Sequence, residues 1–167
     1  MKKMNNKGFS LVELIVVVAI MAVLMAVLVP TLIRNVEKTR VQKDKSAIAE
    51  IHHAVELAIA DEDFLDAKVT TAGATATNGS IAVASLFDST ANSAGAKLAA
   101  EVALTVGTNV KLTSKMKTDC VVKVVYMDTA AGKVVFTVSS SAAGENFYID
   151  STGENSGAYT GSTVTGV

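Results

Sequence analysis

Residues 7 to 13 read Lys7-Gly8-Phe9-Ser10-Leu11-Val12-Glu13, and sixteen apolar residues, Leu14 to Val29, follow without a break. Two kinds of chemistry lie within this short stretch. A small residue behind a basic leader stands where a processing enzyme could cut the chain. Glu13 places a carboxylate at the mouth of a membrane-length apolar segment, where an ionised group is costly and calls for a partner.

The elements around these groups must position them. The leader carries Lys2, Lys3 and Lys7 and no acid, as the n-region of a secretory signal would. The residues after the apolar run, Val29-Pro30-Thr31-Leu32-Ile33-Arg34, contain no Ala-x-Ala-like site, so a conventional cleaved signal is not expected. From Phe9 to Ile33 there are 25 residues, and about 20 suffice to span a bilayer. The segment is expected to stay on the protein and anchor it. Three lysines precede this span, while Arg34, Lys38, Arg40, Lys43 and Lys45 follow it, a balance that by itself opposes an N-inside topology.

Beyond the span, Val41, Ile48, Ile51, Val55, Ala58 and Ile59 recur at steps of seven, three and four and mark one apolar helix face. Gln42, Ser46, Glu50, His53 and Glu56 fall on the polar side, and Ala47, Ala54 and Leu57 form a weaker second stripe. A helix from Phe9 to Leu65 would be about 85 Å long. Pro30, the sole proline, removes one backbone hydrogen bond inside it and predicts a kink or local weak point.

Residues 66 to 100 turn to Ala, Thr, Ser and Gly, with a turn signal at Asn78-Gly79 and a short helix expected around Ala94 to Val102. Strand-like runs follow at Val121 to Met127, Lys133 to Val138 and Phe147 to Ile149, with turns at Asp128 to Gly132 and at Ala143-Gly144-Glu145. The pattern predicts an α+β protein: a long N-terminal helix and a C-terminal head of at least three antiparallel strands, with a loose tail from Gly153 onward. The expected division is a leader 1–8, a membrane segment 9–33, its amphipathic continuation 34–65 and a head 66–167.

The whole chain agrees with this scheme. Its 167 residues suit one modest domain plus an appendage, half are apolar, 5% are aromatic and none is Trp. A formal charge of −1 argues against a nucleic-acid binder, and the lone Cys120 excludes an internal disulfide.

Gly8-Phe9-Ser10-Leu11-Val12-Glu13-Leu14, behind a short basic leader and ahead of an apolar run, resembles the type IV pilin signature. The resemblance covers roughly residues 1 to 40. In that family a membrane peptidase cuts after the glycine on the cytoplasmic side and methylates the new N-terminus. The resemblance therefore implies cleavage between Gly8 and Phe9, an N-methylated Phe9 and an N-inside orientation. Pro30 falls where the family commonly has its helix-disrupting proline. Gly8 suits the site before a scissile bond because it brings no side chain. Cleavage would remove three lysines and leave twelve basic against sixteen acidic residues. In the family, the carboxylate at the position of Glu13 pairs with the N-terminal amine of a neighbouring subunit and sets the register of stacked helices. Ala19, Ala22 and Ala26 supply small residues for close helix approach, although alanine is also simply common in membrane helices.

The remaining candidates are weaker. His52-His53 with Glu50 and Glu56 suggests an incomplete metal set and reads more simply as a solvated helix face, and Asp61-Glu62-Asp63 reads as a polar run near the helix end. Lys111, Lys115, Lys117 and Lys123 make the head locally basic, but no aromatic residue interleaves with them and Asp119 sits among them. Cys120 opens a valine-rich strand and reads as buried core. Asn78-Gly79-Ser80 reads equally as a glycosylation acceptor and as a turn. No nucleophile elbow, phosphate loop or CxxC pair occurs, so neither enzyme activity, nor a metal, nor a cofactor is expected.

The expected function is that of a structural subunit of a type IV pilus-like filament serving adhesion, motility or aggregation. Its implied partners are further copies of itself, the prepilin peptidase/methyltransferase, an inner-membrane platform with its assembly ATPase, and membrane lipid before assembly. It would be a single-pass membrane protein first and part of an extracellular filament afterwards. A pseudopilin of a secretion or DNA-uptake machine shares the same N-terminal pattern, and a membrane-tethered binding domain that never polymerises is the alternative of another class. The lone cysteine departs from many Gram-negative pilins, which fix the C-terminal part of the head with a Cys pair, and leans toward a Gram-positive source.

Overall fold

A computed structural model describes residues 9–60, 73–88, 93–128, 133–150 and 153–155. The chain divides into two compact units, Met1–Lys38 and Thr39–Val167. Helix α1, Leu11–Ile59, begins in the first and ends in the second.

In the first unit every residue from 9 to 36 is exposed. The helix there is long and apolar enough to cross a membrane, and none of that stretch is buried within the subunit. The helical assignment passes through Pro30 without a break. Proline leaves the ladder one donor short. Beside it the Thr31 hydroxyl donates to the Leu28 carbonyl at 2.8 Å, a local bond of the kind that accompanies altered helix ladders.

In the second unit α1 is amphipathic, and all six residues of the main apolar face, Val41, Ile48, Ile51, Val55, Ala58 and Ile59, are buried. Ala54 of the second stripe is buried too, but Leu57 is 58% exposed. The helix ends at Ile59, with Ala60 in a turn, short of the Leu65 expected from its pattern. Residues 61–65, and with them Asp61-Glu62-Asp63, lie outside the described residues.

A five-stranded antiparallel sheet follows in the order β1 (Gly73–Thr75), β4 (Val121–Asp128), β5 (Lys133–Ser140), β6 (Glu145–Asp150) and β7 (Gly153–Asn155). The three runs recognised in the sequence are its centre. Val122 and Val124, then Val134, Phe136 and Val138, then Phe147 and Ile149 face the core, and Val135, paired with Tyr126 beside a register shift in β4, is buried as well. Strand β7 pairs with β6, so Gly153–Asn155 belongs to the sheet and not to a loose tail. A separate ribbon joins β2 (Ser80–Ala82) to β3 (Asn109–Lys111). Between them, helix α2 (Ser93–Val106) buries Leu98, Ala99 and Val102 and ends at Gly107, whose φ of 86° is the left-handed cap position that glycine fills without strain.

Three polar residues interrupt the apolar face of α1, and each is satisfied. Asp44, 1% exposed, accepts from Thr113 N at 2.9 and 3.0 Å, Thr113 Oγ1 at 3.0 Å, Ser114 N at 2.8 Å and Ser114 Oγ at 2.6 Å. Ser114 Oγ in turn accepts from Met116 N at 3.1 Å and caps the short 3-10 turn Lys115–Thr118. Lys45 lies 3.0 Å from Glu145 Oε2 and 4.8 Å from the Phe147 ring centroid. His52 Nε2 donates to the Val134 carbonyl at 2.9 Å, and its ring meets Phe136 edge-on at 5.1 Å. These bonds tie one helix to β3's exit loop, to β6 and to β5. Removing the Asp44 carboxylate would strand two backbone N–H groups and two hydroxyls. Asp44→Ala is therefore expected to lower the unfolding free energy by about 3 kcal/mol, read by urea denaturation of the full chain in detergent micelles.

Candidate functional site

The described chain begins at Phe9, which is 85% exposed, and Gly8 lies outside the described residues. Ser10 stands at the N-cap of α1, one residue before the first helical position. Its carbonyl accepts the first helical bond from Leu14 N at 3.2 Å. Its N–H donates to Glu13 Oε2 at 3.0 Å. Ser10-Leu11-Val12-Glu13 has the spacing of a capping box, in which an acid three residues on reaches back to the N-cap N–H. The capping role is distinct from both expectations for Glu13, a costly carboxylate at the mouth of an apolar segment and the partner of a neighbour's amine. The Ser-x-x-Glu spacing itself was the signal that could have revealed it.

The carboxylate also sits in the first turn, where the helix dipole favours negative charge. Among the described residues Oε1 of Glu13 accepts no hydrogen bond. Ala19, Ala22, Ala26 and Pro30 are all exposed, and at 3.6 residues per turn they fall within an arc of about 80°. Glu13 lies outside that arc by the same arithmetic.

The candidates of the second unit separate from this end of the chain. His52 and His53 differ sharply: His52 is buried and His53 is exposed. Because a carbonyl only accepts, the bond to Val134 places a proton on His52 Nε2. Nδ1 of His52 is 3.6 Å and Nδ1 of His53 3.8 Å from Glu56 Oε2, while Glu56 Oε1 is buried without a partner. Among the described residues no set of three His, Cys, Asp or Glu side chains is arranged to hold a metal ion. The sequence reading treated the His52-His53 cluster as a solvated face. That holds for His53, but His52 is one residue from Ile51 on the buried side and fills a place in the core.

Asn78-Gly79 forms the expected tight turn, with φ of 52° and 77° and a Thr77–Ser80 bridge across it. Both central residues being left-handed is the geometry that favours the Asn-Gly pair. Cys120 is fully buried, and burial, with smaller contributions from Asp119 and Asp44, pushes its thiol up to about 12. It is a core residue and not a nucleophile.

Asp119 ties the start of β4 to the turn between β5 and β6. Its carboxylate accepts from Ser140 Oγ at 2.5 Å, from Ser141 Oγ and from Ala142 N at 2.7 Å. The Ser140 bond first, then that of Ser141, holds the carboxyl at about 2, below its ordinary 3.8. A depressed carboxyl adds stability that is present above its unfolded value and is lost as pH falls through the folded one. Melting temperatures of the full chain in detergent should therefore drop between about pH 4 and pH 2, and Asp119→Ala should show a smaller drop over that interval.

The profile of the prokaryotic N-terminal methylation motif matches residues 3–29. The prepilin peptidase-dependent protein A of Clostridium perfringens (strain 13 / Type A) is 36% identical over 92 residues, which is 54% of this chain. The match spans 65% of that relative's length. No solved structure gives a significant match.

Proposed function

We propose that this chain, type IV pilin-like by its N-terminal motif and its relative, is a structural subunit of a surface filament, cleaved and N-methylated before assembly. The observation that carries the proposal is the surface of α1 in the first unit. Apolar side chains point outward on every side from Leu11 to Ile33, and the subunit covers none of them. Burying a single such side chain is worth about 1.5–3 kcal/mol, so the segment has to be lodged in lipid or among copies of itself.

The processing step supplies the missing polar partner. The relative is named for its dependence on prepilin peptidase, and the same dependence here would cut between Gly8 and Phe9. The new amine at Phe9 would lie one helical turn from Glu13 of its own chain. A helix placed beside it would offer its own amine to the Glu13 oxygen that Ser10 N–H leaves empty. In surroundings without water such a pairing offsets the cost of the charge. It also selects one stagger between neighbours, because every other stagger leaves the carboxylate half-satisfied. Ala19, Ala22 and Ala26, with Pro30 in the same arc, would let a second backbone come close.

The platform proteins and assembly ATPase such filaments need would be separate chains, and the exposed heads would carry adhesion, motility or aggregation. A pseudopilin would use the same N-terminal devices in a shorter assembly. Filaments sheared from the cell surface and containing this chain would select the pilus reading over it.

Mass spectrometry of such filaments is expected to find an N-terminus at methylated Phe9. Recovery of chains that begin at Met1 would sink the processing claim. Glu13→Ala is expected to be cleaved normally while the yield of sheared filament falls about tenfold or more, the consequence of losing some 1.4 kcal/mol per contact. Undiminished filament from that variant would remove the register role of Glu13.

A further inference from the structure

The solvent face of the β2–β3 ribbon, with the end of β1, forms an open groove of about 530 Å³. Its wall carries Thr75, Thr77, Asn78, Ser80, Ser85 and Asn109, which offer hydroxyls and amides and neither charge nor aromatic ring. A second hollow of about 390 Å³ shares Asn78 with it and includes Gly79, Lys117 and Thr118.

Strand register brings two more lysines to this surface. Lys111 is the cross-strand partner of Ser80, and paired residues point to the same face of a ribbon. Lys123 is paired with Gly73, two residues from Thr75 and on the same exposed side of β1. The lysine stems run close over glycine. A Cβ on Gly73 would stand 3.2 Å from Lys123 Cγ, and one on Gly79 would stand 3.6 Å from Lys117 Cβ.

Among the described residues Lys111, Lys117 and Lys123 make no ion pair. Asp119, the acid among them in sequence, is turned to Ser140, Ser141 and Ala142.

Three hydroxyls of the groove are polarised in one sense. Ser80 Oγ donates to the Thr77 carbonyl at 3.1 Å, Ser85 Oγ to the Ala82 carbonyl at 2.7 Å and Thr77 Oγ1 to the Thr75 carbonyl at 3.4 Å. Their protons are engaged within the protein, so they meet a ligand as acceptors. Such acceptors, beside the amide groups of Asn78 and Asn109, suit sugar hydroxyls, while the bordering lysines attract an anion.

We propose that this surface binds an anionic polysaccharide, with sugar hydroxyls against the groove and carboxylate or sulfate groups on Lys111, Lys117 and Lys123. A neutral glycan would leave the lysines unused. Single-stranded nucleic acid gains its sequence-tolerant affinity by stacking bases on aromatic rings, and the groove has none. A protein partner would want aromatic or large aliphatic side chains at the centre, and among the described residues Ala82 is the one apolar residue lining the groove. Binding is a property of the single subunit and does not depend on assembly. Only its amplification by repetition rests on the filament reading, since copies along a polymer would act together on one long chain.

The test uses the full chain in detergent micelles over immobilised polygalacturonate, uncharged dextran and random-sequence duplex DNA. Retention on polygalacturonate at low salt is expected to exceed that on dextran about fivefold or more and to weaken as salt is raised. The double variant Lys111→Ala/Lys117→Ala should lower it about tenfold, whereas Lys97→Ala on α2 should leave it unchanged. Thr77→Ala/Ser85→Ala should weaken polygalacturonate binding and leave DNA retention as it was. Equal retention on dextran, no retention at all, or polygalacturonate retention indifferent to the Thr77 and Ser85 substitutions would each overturn the proposal, the last by reducing the surface to bare charge. None of these results bears on the N-terminus of the mature chain, so this inference and the filament reading fail separately.

Discussion

An apolar helix with no polar face has to be covered on every side, and within the subunit residues 11–33 are covered on none. That demand shapes the rest of the first unit. Lipid meets it directly, because a helix satisfies its backbone internally and its side chains match the hydrocarbon. Only Glu13 and the backbone at Pro30 would be out of place there, and Ser10 N–H partners one oxygen of Glu13. Exchange of lipid for neighbouring helices would bring little hydrophobic gain, since lipid tails are as apolar as leucine. What decides such an exchange is close packing and polar pairing. Small residues in one arc and a single carboxylate with an oxygen to spare are the means this segment has for both.

The second unit answers a different demand with the same helix. From Val41 onward α1 keeps an apolar stripe for the sheet, and Asp44, Lys45 and His52 lie within that stripe. Buried polar groups of this kind are weak sources of net stability but strict about placement. A slide of the helix by one turn would take Asp44 from Thr113 and Ser114, Lys45 from Glu145, and His52 from Val134. Hydrophobic contacts among Ile48, Ile51, Val55 and Phe136 would tolerate such a slide far better. The apolar face therefore supplies the drive to pack, and three polar side chains select the position at which it packs.

What could be read from the sequence follows from where the signals are long. Val121 to Met127 and Lys133 to Val138 hold β-branched and aromatic residues over enough positions to declare strands, and the Val41 to Ile59 face repeats over five helical turns. Strands β1, β2, β3 and β7 have three residues each, too few for a period to emerge, and they are held by pairing to partners distant in sequence. Asp44, Lys45 and His52 were hidden for another reason. Their types read as solvent-facing, and only their places three, four and eleven residues after Val41 assign them to the buried side. At the N-terminus the spacing of Gly8, Phe9 and Glu13 was legible at once, because the chemistry there depends on residue order along the chain. The Ser10 cap was equally local and was obscured by attention to the charge on Glu13. The groove around Asn78 was illegible, since register and turn geometry bring together residues from 73 to 123.

Glu13 and Asp119 use the same device in opposite surroundings. Each is a carboxylate that accepts backbone N–H at the start of a structural feature, α1 in one case and the β5–β6 turn in the other. Asp119 is open to water, and with Ser140 and Ser141 added to its donors it lacks nothing. Its bonds hold a turn in place, a task that a chain with one cysteine cannot give to a disulfide. Among the described residues Glu13 has one donor where Asp119 has three, and in a bilayer no water would make up the difference. Its cap orders the first turn of the helix and fixes the direction in which the carboxylate points. Among the described residues its second oxygen accepts nothing, and in the proposed filament a neighbour's amine would meet it at a height along the helix that the cap has already chosen.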